Sequence, residues 1–331
     1  MRILLAIDHR SDPRVVSGYV AERFGSRNIA VDILTVIPSS AGQSHAAEQE
    51  HGEAVYLPRH RGPAQLAAES FVAAVATELR ARHGLSSVRT HVKCGDAANV
   101  ILSASTSLRS AMIVIEAPPG KGLLTGFRRN GATRRLFGKA GCPIELLRPC
   151  ARSHRSSFNA LVPIGADQFA DFPFAQLQTL PWPQGSRLQL LGVLPLAFDD
   201  SRVEASPATV VEALDKSRRL RVLTEARLNE VCSNLNATLD HGVEAECRVV
   251  EGNTRAVVVD GARQPHASLI VMSSAATDRA IRGMFSTLSP AAIALSAACS
   301  VLLLRPPAVR AKRPSEQAEN HAAAQPQHRP A

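Results

Sequence analysis

Cys142-Pro-Ile-Glu-Leu-Leu-Arg-Pro149 returns 157 positions later as Cys299-Ser-Val-Leu-Leu-Leu-Arg-Pro306. The same offset lays Ile3-Leu4-Leu5-Ala6-Ile7 on Ala160-Leu161-Val162-Pro163-Ile164, and Leu34-Thr35-Val36-Ile37-Pro38 on Leu191-Gly192-Val193-Leu194-Pro195. Gly95 falls on Gly252, and Ala111-Met112-Ile113-Val114-Ile115 falls on Ser268-Leu269-Ile270-Val271-Met272. One ungapped register that holds across separated segments marks an internal duplication. A chain of 331 residues has room for two domains with a core each.

Within each repeat, short Val/Ile/Leu runs alternate with longer segments of helical periodicity. The order is strand, helix, strand, long helix, strand, helix, strand, helix, strand. Continuously apolar strands of this kind belong to a parallel sheet covered by helices on both faces, so the expected fold is two tandem doubly wound α/β domains. Pro63 to His83 predicts the long second helix of the first repeat, and about Pro207 to Leu235 that of the second. A third helix is expected to start near Asp96 after Gly95, and near Asn253 after Gly252, with short polar caps. The expected domains run over residues 1–150 and 158–306, joined by the polar segment Cys150 to Ser157. The last stretch, 307–331, lacks apolar periodicity and is expected to be a disordered tail.

Composition narrows the functional classes. Aromatic residues are only 4% of the chain, so the cores should be aliphatic. A net charge of +9 favours anionic ligands. No apolar run reaches the length of a membrane span, and the N-terminus enters a strand without a signal-peptide pattern, so a cytoplasmic location and no membrane partner are expected. The six cysteines contain no CxxC pair and sit mostly in apolar segments, which predicts reduced, buried thiols. The polar loop from Ser39 to Gly62 carries His45, Glu48, Glu50 and His51, but not at metal-ligand spacing, and no metal site is expected. Nucleic acid is not an expected partner, because RNP aromatics, helix-turn-helix and zinc-finger patterns are all missing.

In a doubly wound sheet, ligands bind outside the carboxyl ends of the strands, where strand order reverses. After the fourth strand of the first repeat the chain reads from Glu116 through Gly120, Gly122, Gly126 and Gly131 to Thr133, with Arg128, Arg129, Arg134 and Arg135 alongside. Glycines let backbone N–H groups approach phosphate, a helix opening at Gly131 would aim its first amides at an anion, and arginines add charge-assisted donors. The same segment also fits a plain connection. Asp8, closing the first strand, fits either a ligand contact or a turn. SGGxDS, GxxxxGK[ST], GxSxG and HExxH motifs are all absent, and no residue pair stands out as base and orienter, so the chain is not expected to be an enzyme beyond weak incidental ATP hydrolysis.

The duplicated order, Ile7-Asp8 ending the first strand, the IVI and LIVM strands, and the Gly-Cys-Pro and Ala-Cys-Ser entries to apolar final strands resemble the universal stress protein (UspA-like) family. The resemblance covers residues 1 to about 306 as two copies. It implies a Rossmann-like fold of the adenine nucleotide alpha hydrolase kind. It also implies ATP, with accompanying Mg, as cofactor: adenosine beside Asp8 and the backbone of Val36, phosphates over Gly122, Gly126, Arg128, Gly131, Ala132 and Thr133. Nucleotide-binding members of the family carry Gly, two residues, Gly, nine residues, then Gly-Ser or Gly-Thr. The first repeat departs from this with a longer loop and with Glu116 at the first glycine. The second keeps the spacing without the glycines, reading Ser273, Ala276 and Ser286-Thr287, and has Gly165 opposite Asp8 with Asp167 two residues on. Two functions are therefore expected in competition: a stress-response regulator that binds ATP through its first domain, and a nucleotide-free tandem scaffold for protein partners. The final strands, Ile144 to Leu147 and Val301 to Leu304, are expected to pair the halves into an intramolecular pseudo-dimer; a homodimer of the whole chain is compatible with the same resemblance.

Overall fold

Among the described residues, the apolar runs form strands and the amphipathic segments form helices laid against them, while the expected helix between the last two strands of the second repeat lies outside those residues. A computed structural model describes residues 1–9, 11–25, 29–38, 62–116, 132–148, 158–166, 168–196, 207–252, 254–263, 267–274 and 297–305. The first repeat comprises β1 (Arg2–Ala6), α1 (Pro13–Phe24), β2 (Ala30–Ile37), α2 (Pro63–His83), β3 (Val88–Cys94), α3 (Ala97–Ser107), β4 (Met112–Glu116), α4 (Ala132–Lys139) and β5 (Ile144–Leu147). The second comprises β6 (Asn159–Gly165), α5 (Phe174–Thr179), β7 (Arg187–Leu194), α6 (Pro207–Thr238), β8 (Glu244–Glu251), α7 (Thr254–Arg263), β9 (Leu269–Ser273) and β10 (Ser300–Leu304).

The strands form one ten-stranded sheet in the order β3-β2-β1-β4-β5-β10-β9-β6-β7-β8. Every pairing is parallel except β5 with β10, where the two repeats meet antiparallel. Each half thus has the doubly wound order 3-2-1-4-5, with its reversal between the first and fourth strands. One apolar layer joins α1 and α2 to the corresponding face of the second half through Leu147, Phe158, Leu302 and Leu304; the opposite layer is built on α3, α4 and Ile144, Leu146, Val301 and Leu303.

Local chemistry explains the element boundaries. Asp12 caps α1 by accepting a hydrogen bond from the Arg14 N–H at 2.8 Å, with Pro13 pre-set for the first turn. Asp96 caps α3 through the Asn99 N–H at 3.1 Å. Gly95 and Gly252 turn the chain into the third helix of each half at φ 142° and 151°. A Cβ at either would also meet Val100 or Val257 at 3.0 Å, so the two repeats solve this turn identically.

The halves differ most in their first helices. Where α1 has 12 residues, α5 has 6, bracketed by Pro173 and Pro181. Burial of the cysteines is less general than expected. All five described are free, but only Cys232 and Cys299 are buried; Cys142 and Cys247 are half-buried and Cys94 is exposed, because β3 is an edge strand. Cys150, the polar loop at 39–61 and the segment 306–331 lie outside the described residues.

Candidate functional site

The crevice of the first half opens where β1 and β4 part. Their pairing ends at Ala6 opposite Ile115, so the residues after β1 stand beside Glu116, the last residue of β4. β1 is anchored to β2 through its end: the Ile7 N–H donates to the Leu34 carbonyl at 3.0 Å, and the Thr35 hydroxyl donates to the Ile7 carbonyl at 3.1 Å. The Ser11 N–H then closes a turn on the Asp8 carbonyl at 3.0 Å. This turn presents Asp8 at the mouth, with its carboxylate 3.2 Å from Nδ1 of His9. Val36 is half-buried two residues past Leu34, the last β2 residue paired with β1, so it borders the same opening.

Glu116 sits at the floor of the crevice and is only 5% exposed. Burial pushes its carboxyl up to about 7; the Ser11 hydrogen bond pulls the other way, and the neighbouring Asp8 charge adds to the rise. Its Oε2 has no hydrogen-bond partner among the described residues. Near neutral pH this group is therefore shared between acid and carboxylate. In the acid form it neither repels an anion nor lacks a proton to donate. From sequence, Glu116 is a carboxylate where the family pattern has its first glycine, and an ionised carboxylate there would repel phosphate; its burial supplies the other half of the physics.

Of the residues expected around phosphate, Gly122, Gly126, Arg128 and Gly131 lie outside the described residues. Ala132 and Thr133 form the first turn of α4, and helix amino ends favour anions. Arg135, expected as a phosphate donor, is engaged elsewhere: its guanidinium lies 2.9 Å from Asp96, the cap of α3. The opposite end of α4 is held from the second half, since Arg305 at the end of β10 donates to the Leu136 carbonyl at 3.3 Å and to that of Phe137.

The equivalent crevice of the second half is built differently. Gly165 takes the place of Asp8, and Gln168 closes the turn, its N–H donating to the Gly165 carbonyl at 2.9 Å and its Oε1 accepting from the Gly165 N–H at 3.4 Å. Asp167 and the segment 275–296 lie outside the described residues. Ser273 and Ser274, ending β9, are buried. The β6–β9 ladder pairs only Ala160 with Leu269 and Leu161 with Ile270, ahead of Pro163, which has no N–H to donate. A concavity of about 400 Å³ lined by Arg187, Asn236, Glu244 and Glu246 lies at the amino ends of β7 and β8, away from either crevice. Among the described residues no cluster of three metal-ligating side chains occurs, and no helix is long and apolar enough to cross a membrane.

Comparison with known proteins places these features in context. The family model described as "Universal stress protein family" matches twice, over residues 1–148 and 159–305. Among solved structures, a universal stress protein from Archaeoglobus fulgidus DSM 4304 is 14% identical, covers 92% of this chain and 96% of its own, and superposes with a TM-score of 0.58. A functionally unknown protein from Pseudomonas aeruginosa PAO1 is 13% identical, with coverage of 98% and 97% and a TM-score of 0.51. At such identities the likeness is one of fold. No match was found among curated proteins.

Proposed function

The chain belongs to the universal stress protein family, and we propose that it is a cytosolic stress-response regulator whose first half binds an adenine nucleotide, ATP with Mg, while the second half is its structural partner. In this reading the two halves are domains over 1–150 and 158–306. The observation that carries it is the first-half crevice: Asp8 stands at the strand-order reversal beside Val36, and the Glu116 acid form removes the repulsion its carboxylate would impose. Asp8 is the acceptor proposed for the ribose hydroxyls, and the first turn of α4 at Ala132 and Thr133, together with Gly122, Gly126, Arg128 and Gly131, would receive the phosphates. The protein is proposed as a binder and not a catalyst. Freshly purified protein assayed for nucleotide content, then titrated with Mg-ATP alongside Asp8→Ala, tests this. Saturable binding weakened by the substitution supports the proposal; no binding at millimolar ligand overturns it.

A second reading is favoured by the second-half crevice, where the Asp8 position is glycine and Gln168 occupies the turn. It makes the tandem a nucleotide-free scaffold for protein partners. Nucleotide that co-purifies in stoichiometric amount would refute it.

A further inference from the structure

Where the halves join, two charged side chains are sealed in the apolar layer and a half-buried tyrosine reaches them. Glu145, in the middle of β5, and Arg23, on α1, are both fully buried, and Arg23 Nε lies 3.4 Å from Glu145 Oε2. The Tyr19 hydroxyl donates to the other carboxylate oxygen. The Arg23 guanidinium projects out of the first half into a socket made by the second: it donates to the Pro181 carbonyl, and its centre lies 5.3 Å from the ring of Phe158 and 4.9 Å from that of Trp182. The ring of its neighbour Phe24 stands 4.9 Å away on the first-half side. A cation held between a carboxylate and aromatic faces in a dry layer is favourable only while all of these partners are present.

The repeat register shows what this arrangement excludes. β5 and β10 pair Leu146 with Val301, Glu145 with Leu302 and Ile144 with Leu303, so the pseudo-twofold axis passes between Glu145 and its own repeat counterpart, Leu302. If two first halves met through this strand, Glu145 would face Glu145 across the axis, with Cα atoms about 5 Å apart inside the core. The socket would vanish as well. The counterparts of Pro181 and Trp182 are Phe24 and Gly25, and that of Phe158 is Met1, which leaves no indole for the guanidinium. The second half carries no knob of its own: Leu180 stands for Arg23, and Gln176, in place of Tyr19, hydrogen-bonds the Arg305 backbone instead.

We propose that the β5 edge is a heterotypic docking surface, with Glu145 and Arg23 as its specificity-determining residues. It accepts the second half of this chain, through Leu302, Phe158 and Trp182, and rejects another first half. Any further association of the whole chain must then use a different face. This inference is independent of nucleotide binding.

The test keeps the whole protein and cuts it only after folding. A protease site within 150–157 separates the halves, and light and isotopically heavy preparations are mixed and followed by native mass spectrometry. Wild type is expected to contain only one-of-each pairs, with first-half self-pairs depleted at least about a hundredfold. Arg23→Leu combined with Glu145→Leu removes both the charge clash and the orphaned cation, and self-pairs should rise to a share comparable with mixed pairs. A second double variant, Glu145→Gln with Arg23→Met, keeps side-chain volume and predicts the same change. Wild-type self-pairs as abundant as mixed pairs, or self-pairs absent from both double variants as from wild type, would overturn the assignment.

Discussion

Replacing Glu116 by glutamine should stabilise the protein in alkaline solution and leave it nearly unchanged in acid. Burial raises the Glu116 carboxyl from the ordinary 4.5 to about 7, so between these values the folded state keeps a proton that the unfolded chain gives up. Folding is therefore not penalised below about pH 4.5, loses stability as pH rises through the window, and carries the full penalty above about pH 7. At 1.36 kcal/mol per pH unit the full penalty is about 3 kcal/mol. Glutamine preserves the shape and never ionises. Urea unfolding of wild type and Glu116→Gln should give nearly equal stabilities at about pH 4 and a gap approaching about 3 kcal/mol at about pH 8.5, seen as several degrees in Tm. The same substitution should flatten the pH dependence of nucleotide affinity, because ionised Glu116 opposes an anionic ligand. An unfolding gap equal at both pH values would mean that Glu116 titrates alike in folded and unfolded chains, contrary to the burial-driven shift.

Two other perturbations probe the frame around the crevice. Asp32, 1% exposed in β2, pairs with Arg89 at 2.7 and 3.0 Å and with His91 at 3.1 Å; burial pushes its carboxyl up, but these hydrogen bonds and charges hold it below the ordinary range. Its contribution is present above about pH 4 and lost as pH falls below, so Asp32→Asn should cost about 1–3 kcal/mol at neutral pH and less in acid, since the cations it leaves behind reach solvent; urea unfolding measures this. Gly192 lets α6 close on β7, since a Cβ there would lie 2.7 Å from Leu228 and 3.0 Å from Thr224; Gly192→Ala should cost about 1–3 kcal/mol in thermal unfolding, and an unchanged Tm would contradict that close approach.

The element order and the duplication were legible because parallel strands, buried on both faces, must be continuously apolar, and because the repeat register is ungapped. The Asp96 cap and the turn glycines were legible for similar local reasons. What the sequence does not show depends on tertiary contact. Glu145 was visible as a charge inside an otherwise apolar strand, opposite leucine in the other repeat, and that mismatch was the available signal. Its partner Arg23, at the end of an amphipathic helix, looks like any surface arginine until Trp182 and Phe158 arrive from the other half. Arg135 reads from sequence as one of four charge-assisted donors near the glycine loop, because sequence alone does not show Asp96 2.9 Å from it. Gly122, Gly126, Arg128 and Gly131 fall outside the described residues, so for them the glycine-and-arginine pattern and the family resemblance carry the proposal.

The central claim, one nucleotide site built on the first half, is tested most directly by the stoichiometry of Mg-ATP binding to nucleotide-stripped protein in a calorimetric titration. Mg-ATP should occupy one site per chain, and Gly131→Asp should abolish that binding. Two equivalent sites per chain, or none, would contradict the claim.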